Sequence, residues 1–257
     1  MDLFTTKIGV VALLDFLGVS TLDIAGCHEF LKRRQKVLDV LESCKEDIHQ
    51  HGGRQISTRT FGDSILLTWA KGQAHADDVL VFGEILKKVF HVCIWERILI
   101  RGAVSAGEFI ESDKGNDLTV LGPAIADVAS WYEQADWSGI VATPRAGHLL
   151  DFRTKNSLAE HDIDVRLIHQ TFVQYDVPLK QISKKLWCVS WPKFLTGLNL
   201  SDEQRVAAFY ECVSRFESIP YGTEAKYSNT LDFFEWYWKE VYPNVKTVMP
   251  PSKPLHE

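Results

Sequence analysis

Basic charge is what this chain is short of. Its 257 residues hold 34 Asp and Glu against 28 Lys and Arg, for a net charge of −6. A global positive field for nucleic acid or an anionic membrane surface is therefore not expected. Long apolar runs are also missing, since none approaches the roughly 18 residues of a membrane span. The start, Met1-Asp-Leu-Phe-Thr-Thr-Lys7, lacks the basic opening of a signal peptide. Cysteine is sparse: Cys27, Cys44, Cys93, Cys188 and Cys212 are odd in number, widely spaced and never in a CxxC pair. Disulfides and a zinc site are not expected from that pattern, and the thiols read as buried and reduced. No GxxxxGK[ST], no GxGxxG after a strand, no GxSxG and no HExxH occurs, so P-loop, dinucleotide, serine-hydrolase and zincin chemistry find no support. The expectation is a cytoplasmic globular protein with no nucleic-acid or membrane partner, at 46% apolar and 24% charged residues.

What is present centres on Arg59-Thr-Phe-Gly-Asp-Ser-Ile-Leu-Leu-Thr-Trp69. Two β-prone runs, Gln55 to Phe61 and Ser64 to Trp69, flank a Gly62-Asp63 joint, which predicts a hairpin with a tight turn. Asp63 is unusual there, because strands are depleted in Asp. A second carboxylate, Asp15, ends the uniformly apolar run that starts at Ile8, a pattern of the buried centre of a sheet. If the two strands are neighbours, Asp15 and Asp63 meet at one end of it and repel unless a cation lies between them. Oxygen ligands of that kind suit Mg²⁺ or Mn²⁺. Either Asp alone is more often a turn former or helix cap than a metal ligand. Asp15, however, leads through Phe16-Leu-Gly-Val-Ser20 into an amphipathic stretch, and a helix N-terminus after such a loop is a place for phosphate.

Along the chain, Leu22 to His49 predicts two helices or one broken near Arg33-Arg34, and Ala74 to Trp95 a long helix. Arg97 to Ile110 reads as a buried strand, Glu111 to Leu121 as a polar excursion, and Gly122-Pro123 to about Ala135 as a helix with Pro in its first turn. Gly139 to Pro144 reads as a short strand, with a helix near Arg145 to Leu150. The order points to an α+β fold on a ferredoxin-like β-α-β-β-α-β core with extra helices. Composition shifts after about Phe152, so residues 1–152 are read as a catalytic core and 153–257 as an extension packed on it. In that extension, Val165 to Tyr175 is a possible strand, Leu186 to Trp191 a final strand, and Asp202 to Ile219 and Thr230 to Val241 two helices. The aromatics of the second helix (Phe233, Phe234, Trp236, Tyr237, Trp238) read as packing.

These stretches resemble the class III nucleotide cyclase family. Val11 to Ser20 is similar to its first-aspartate motif, with Ser20 where Thr is usual, and Phe61-Gly62-Asp63-Ser64 to its second-aspartate hairpin. Arg101-Gly-Ala-Val-Ser-Ala-Gly107 resembles the family's third strand, and Gly122 to Trp131 its following helix. The resemblance implies that Asp15, the Phe16 carbonyl and Asp63 hold two Mn²⁺ or Mg²⁺ ions. It also implies that Leu17, Gly18, Val19 and Ser20 cradle the triphosphate, that Arg101 and Arg59 are candidate charge stabilisers, and that a homodimer carries its sites at the interface. The family's ribose-orienting Asn falls on Ala126 and its transition-state Arg on Ser130. The purine-reading Lys and Asp fall near Ser57 and near Thr119, whose hydroxyls do not present the adenine pattern.

The form as a whole is most similar to the pyrimidine cyclases of bacterial Pycsar antiphage systems, implying a cyclic UMP or cyclic CMP product read by a separate effector protein. Uracil shows two carbonyl acceptors around one N–H. Arg54, Arg59 and Arg101, with Ser57 and Thr58, supply donors, and no acidic residue falls between Arg54 and Phe61, which favours UTP over CTP. A catalytically silent nucleotide sensor is the alternative of another class.

Overall fold

The computed structural model describes residues 5–50, 56–112, 119–156, 163–193, 201–214 and 222–241. The apolar run forms strand β1, Thr6–Phe16. Helix α1, Ile24–Gln50, follows, and then the hairpin of β2, Ser57–Phe61, and β3, Ser64–Ala70. Helix α2, Ala76–Trp95, leads to the long strand β4, Ile100–Ser112. The turn between β2 and β3 is made by Gly62, whose φ of 56° is the left-handed conformation expected of glycine.

These four strands lie in the antiparallel order β2-β3-β1-β4, with α1 and α2 as crossovers. That is the ferredoxin-like arrangement the sequence pattern predicts, within an α+β fold. The sheet is then extended. A short β5, Thr119–Leu121, pairs back onto β4, and helix α3, Pro123–Gln134, crosses to β6, Ile140–Ala142, which lies parallel to β4. Helices α4, Pro144–Asn156, and α5, Ile163–Thr171, precede the hairpin of β7, Phe172–Pro178, and β8, Ser183–Val189, which joins the same sheet beside β6. Helices α6, Asp202–Ser214, and α7, Glu224–Val241, complete the described residues.

Alternation sorts the side chains of β1 onto two faces. On one, Phe16 meets Phe30 of α1 edge-on and, on β3, Trp69 stacks on Phe82 of α2. On the other are Asp15, Leu13 and Val11, where α3 covers β4 and leaves Leu13 partly exposed. The aromatic stripe of α7 is packing, as expected: Phe233, Phe234, Tyr237 and Trp238 are buried, with Phe233 edge-on to Trp137 and Phe234 stacked on Phe209.

Two elements depart from expectation. Leu22 to His49 is neither two helices nor a broken one: α1 is continuous, because nothing from Cys27 onward breaks it and Val37, Leu41 and Cys44 bury one stripe along it. Val165 to Tyr175 is not one strand. Residues up to Thr171 are helical, with Ile168 buried and the Thr171 hydroxyl bonded back to the Leu167 carbonyl, and the strand starts at Phe172. Arg54 and most of the polar excursion, residues 113–118, lie outside the described residues. Among the described residues Cys27, Cys44, Cys93 and Cys188 are free thiols, and burial pushes Cys93 and Cys188 well above the usual thiol range. No helix of the described residues is long and apolar enough to cross a membrane.

Candidate active site

The β1–β3 register pairs Asp15 with Ser64, so the turn residue Asp63 lies beside the end of β1. There the Phe16 amide donates to the Asp63 carbonyl at 3.0 Å. The two carboxylate residues therefore occupy one end of the sheet. On the opposite side of β1, Asp15 faces Arg101, and the guanidinium Nε donates to Asp15 Oδ2 at 3.0 Å. Ser64 Oγ donates to Asp15 Oδ1 at 3.2 Å. The Tyr132 ring of α3 lies 5.1 Å from the Arg101 guanidinium, a cation–π contact that steadies the arginine.

Burial pushes the Asp15 carboxyl above the ordinary carboxylate range; Arg101 opposes that shift, and the nearby charge of Asp63 adds to it. The same burial, with Asp15 beside it, raises the Tyr132 phenol. An ionised Asp15 is thus incompletely answered by the protein's own groups. A divalent cation between the two aspartates suits this donor set: every available ligand atom is oxygen, and each Asp15 oxygen keeps a second lone pair beyond its one hydrogen bond. No group of three or more His, Cys, Asp or Glu that could hold a metal occurs among the described residues. Main-chain, water and substrate oxygens would have to complete any coordination shell.

After Phe16, Leu17 bonds to the Leu99 carbonyl, and Gly18, in the left-handed conformation at φ 83°, starts a 3-10 turn over Val19–Thr21. Its bonds begin with Thr21 to Gly18 and Leu22 to Val19, so the amides of Gly18, Val19 and Ser20 precede them. The phosphate expectation at the helix start meets a difference here. The first turn of α1 is capped by Asp23, whose Oδ1 accepts from the Gly26 amide at 2.7 Å. A capping carboxylate lowers the pull of that helix end on an anion, which leaves the amides that precede the 3-10 turn as the main-chain donors next in sequence to Asp15 and Phe16.

The other predicted residues lie further along the same face. Ser57 pairs with Thr68 and Arg59 with Leu66, which puts both on the Asp15 side of the sheet but away from the turn. Arg59 donates through Nε and Nη2 to Glu111 Oε1, at 2.9 and 2.6 Å. Lys7 Nζ donates to Glu111 Oε2 at 2.9 Å, and Thr68 Oγ1 to Oε1 at 3.3 Å. Burial alone would raise the Glu111 carboxyl, but Lys7 and Arg59 hold it below the usual range. The structure thus gathers Asp15, Phe16, Asp63 and Arg101, and gives Arg59 to Glu111. Sequence reasoning missed Glu111 and Tyr132. Tyr132 follows directly on the Gly122 to Trp131 motif and could have been reached by extending it; Glu111 carries no local signal. Ala126 and Ser130, where the resemblance would place an Asn and an Arg, are exposed on α3, and the Ser130 hydroxyl is bonded to the Ala126 carbonyl.

No protein-family model matches this chain, and no curated protein matches it. Among solved structures, the adenylyl cyclase CyaB from P. aeruginosa is similar with a TM-score of 0.46 at 13% identity, over 72% of this chain and 95% of that one. The guanylyl cyclase domain of the RhoGC fusion protein from Blastocladiella emersonii, as a double mutant, gives a TM-score of 0.49 at 11% identity, over 73% and 98%. The guanylate cyclase domain of RhGC from Catenaria anguillulae, in complex with GTP, gives 0.45 at 12% identity, over 73% and 97%.

Proposed function

We propose that this chain is a nucleotide cyclase that converts a nucleoside triphosphate to a 3′,5′-cyclic mononucleotide and pyrophosphate. The observation that carries the reading is the meeting of Asp15 and Asp63 at one strand end, joined by the bond from the Phe16 amide and flanked by Arg101. In the reaction the ribose 3′-oxygen forms a bond to the α-phosphorus, the bond from that phosphorus to the β-phosphate oxygen breaks, and the hydroxyl proton leaves to solvent. Two Mg²⁺ or Mn²⁺ ions, held by Asp15, Asp63 and the Phe16 carbonyl, would lower the pKa of that hydroxyl and compensate the charge of the leaving pyrophosphate. The protein's part is positioning and charge. Arg101, fixed by Asp15 and Tyr132, offers its remaining N–H donors to a phosphate oxygen. The amides of Gly18, Val19 and Ser20 supply a main-chain cradle. Asp63→Ala should abolish turnover of Mn²⁺-supported reactions while leaving the far-ultraviolet circular dichroism unchanged; normal turnover in that variant removes the metal assignment.

The substrate is a pyrimidine nucleoside triphosphate, with UTP favoured. Ser57 and Arg59 stand on β2, on the same face as Asp15, and the patch they belong to is rich in donors. Glu111 adds a carboxylate that sequence reading did not anticipate. Its Oε1 already takes Arg59 and Thr68, and its Oε2 takes Lys7, so its charge is answered by the protein's own cations. The patch of Lys7, Arg59 and Glu111 keeps a net positive charge, which suits the carbonyls of uracil. Incubation with Mn²⁺ and each of the four ribonucleoside triphosphates, with products resolved by mass, tests this; faster turnover of CTP or ATP overturns the base assignment. The partly open face bearing Leu13, Ser57 and Arg59 suits a second copy of the chain, and light scattering at micromolar concentration should find a homodimer. By the resemblance, the cyclic nucleotide is the signal of a bacterial antiphage system and is read by a separate effector protein.

A further inference from the structure

The cyclase reading leaves a deficit, since the position of the family's transition-state arginine is Ser130, with its hydroxyl spent on its own helix. Helix α7 offers a cation from another direction. Its first two turns dock on the loop between α3 and β6: the Ser138 amide donates to Thr230 Oγ1 at 2.8 Å, and Asn229 Nδ2 to the Asp136 carbonyl at 2.6 Å. Ser138 Oγ in turn donates to the Ile100 carbonyl at 2.7 Å, which ties the loop to the start of β4 beside Arg101. Lys226 lies three and four positions before Asn229 and Thr230, so it shares their face of the helix, the face turned to this loop. Thr230 Oγ1 also bonds the Lys226 carbonyl, at 2.5 Å.

We propose that Lys226 is the cation that receives the triphosphate in this site, delivered by the C-terminal helix in place of the missing arginine. The inference rests on the reading of the Asp15 end of the sheet as a nucleotide site. Lys226 is partly exposed and makes no ion pair with the described residues, so its three N–H donors are available. Its ammonium nevertheless feels the site. Burial pulls its pKa down, and so do the charges of Arg101 and Lys180, while Asp136 and Asp15 push it up. A half-buried ammonium among two arginine or lysine cations and two carboxylates, none of which pairs with it, suits an incoming polyanion: a phosphate oxygen would answer the charges of Lys226 and Arg101 together.

The test uses the full chain and three variants, Lys226→Gln, Lys226→Arg and, as a control, Lys239→Gln on an exposed position of the same helix. Titration calorimetry with Mn²⁺ present measures the affinity for UTP, for inorganic tripolyphosphate and for uridine. Lys226→Gln should weaken UTP and tripolyphosphate by about tenfold to a hundredfold and leave uridine unchanged, the range for losing one charged hydrogen bond. Lys226→Arg should recover most of that loss, and Lys239→Gln should show none. Equal binding of tripolyphosphate by Lys226→Gln and the unaltered chain overturns the proposal, as does an equal loss in uridine binding. If the chain binds tripolyphosphate through Lys226 yet releases no cyclic nucleotide from any of the four substrates, the proposal stands and the cyclase reading falls. Turnover by the chain with Lys226→Gln unaffected in both KM and kcat overturns the proposal alone, and a chain that binds no triphosphate overturns both.

Discussion

Glu111 stays ionised with only 4% of its side chain exposed because Lys7 and Arg59, themselves 35% and 14% exposed, meet it from two strands. Replacing it with Gln keeps the shape but removes the charge that Lys7 and Arg59 meet, which should cost about 1–3 kcal/mol at neutral pH. The sign follows from its lowered pKa: the contribution is complete above the ordinary carboxylate value and is lost as pH falls through the folded-state value. Urea unfolding at a series of pH values should show a constant gap between the chain and Glu111→Gln down to about pH 5 and a closing gap below it. A gap that widened in acid would contradict the pairing. Asp15 and Asp63 were legible in the sequence because each is anomalous within its own short stretch. Glu111 was not, because its place depends on the far end of a thirteen-residue strand meeting Arg59, 52 positions earlier in the chain. Gly107, at φ 148°, lies on the way, in a conformation that resists a side chain.

At the scale of elements, the junction of α5 and β7 is where periodicity misled. Val165 to Tyr175 is rich in β-branched and aromatic residues, and local preference cannot say where a helix yields to a strand. What decides it is α2. The Thr171 hydroxyl lies between Glu84 Oε1 and the Leu167 carbonyl, and Thr171 and Phe172 close over Gly83, where an added Cβ would lie 2.4 Å from Thr171 Cγ2 and 2.5 Å from Phe172 Cε2. Gly83→Ala weighs two effects of known size. Helix propensity favours Ala by about 1 kcal/mol, whereas forcing a methyl into a closed contact costs about 1–3 kcal/mol. Thr171 and Phe172 are buried and have nowhere to retreat, so overpacking should win. Denaturant melts should show a net loss of up to about 2 kcal/mol; a more stable variant would mean that the junction gives way easily.

At the scale of the whole molecule, the β-α-β-β-α-β order was legible because each element has its own period and its own turn residues. The joining of β8 to β6, and the return of α7 to the α3–β6 loop, depend on contacts between residues 47 and 92 positions apart that leave no local trace. That return is substantial. Phe233, Phe234, Tyr237 and Trp238 are each at most 1% exposed. At about 2–3 kcal/mol for each buried ring, their sum is of the order of 10 kcal/mol, comparable to the about 5–15 kcal/mol that holds a domain folded. A chain ending at Gly222 should therefore lose its near-ultraviolet circular dichroism and bind a hydrophobic dye, with Trp137 and Trp191 laid open. A cooperative melt in that truncated chain would show that the core stands without α7.

The bond from the Phe16 amide to the Asp63 carbonyl joins the end of β1 to the turn, beside the last β1–β3 pair, Asp15 and Ser64. Strand ends open more often than strand middles, and each opening releases this one proton to solvent. Deuterium uptake at the Phe16 amide therefore counts how often the two aspartates come apart. Adding Mn²⁺ should slow that uptake while leaving the Val11 amide, in the middle of β1, at its own rate. The occupancy of the site could then be followed one backbone proton at a time, with no substrate present.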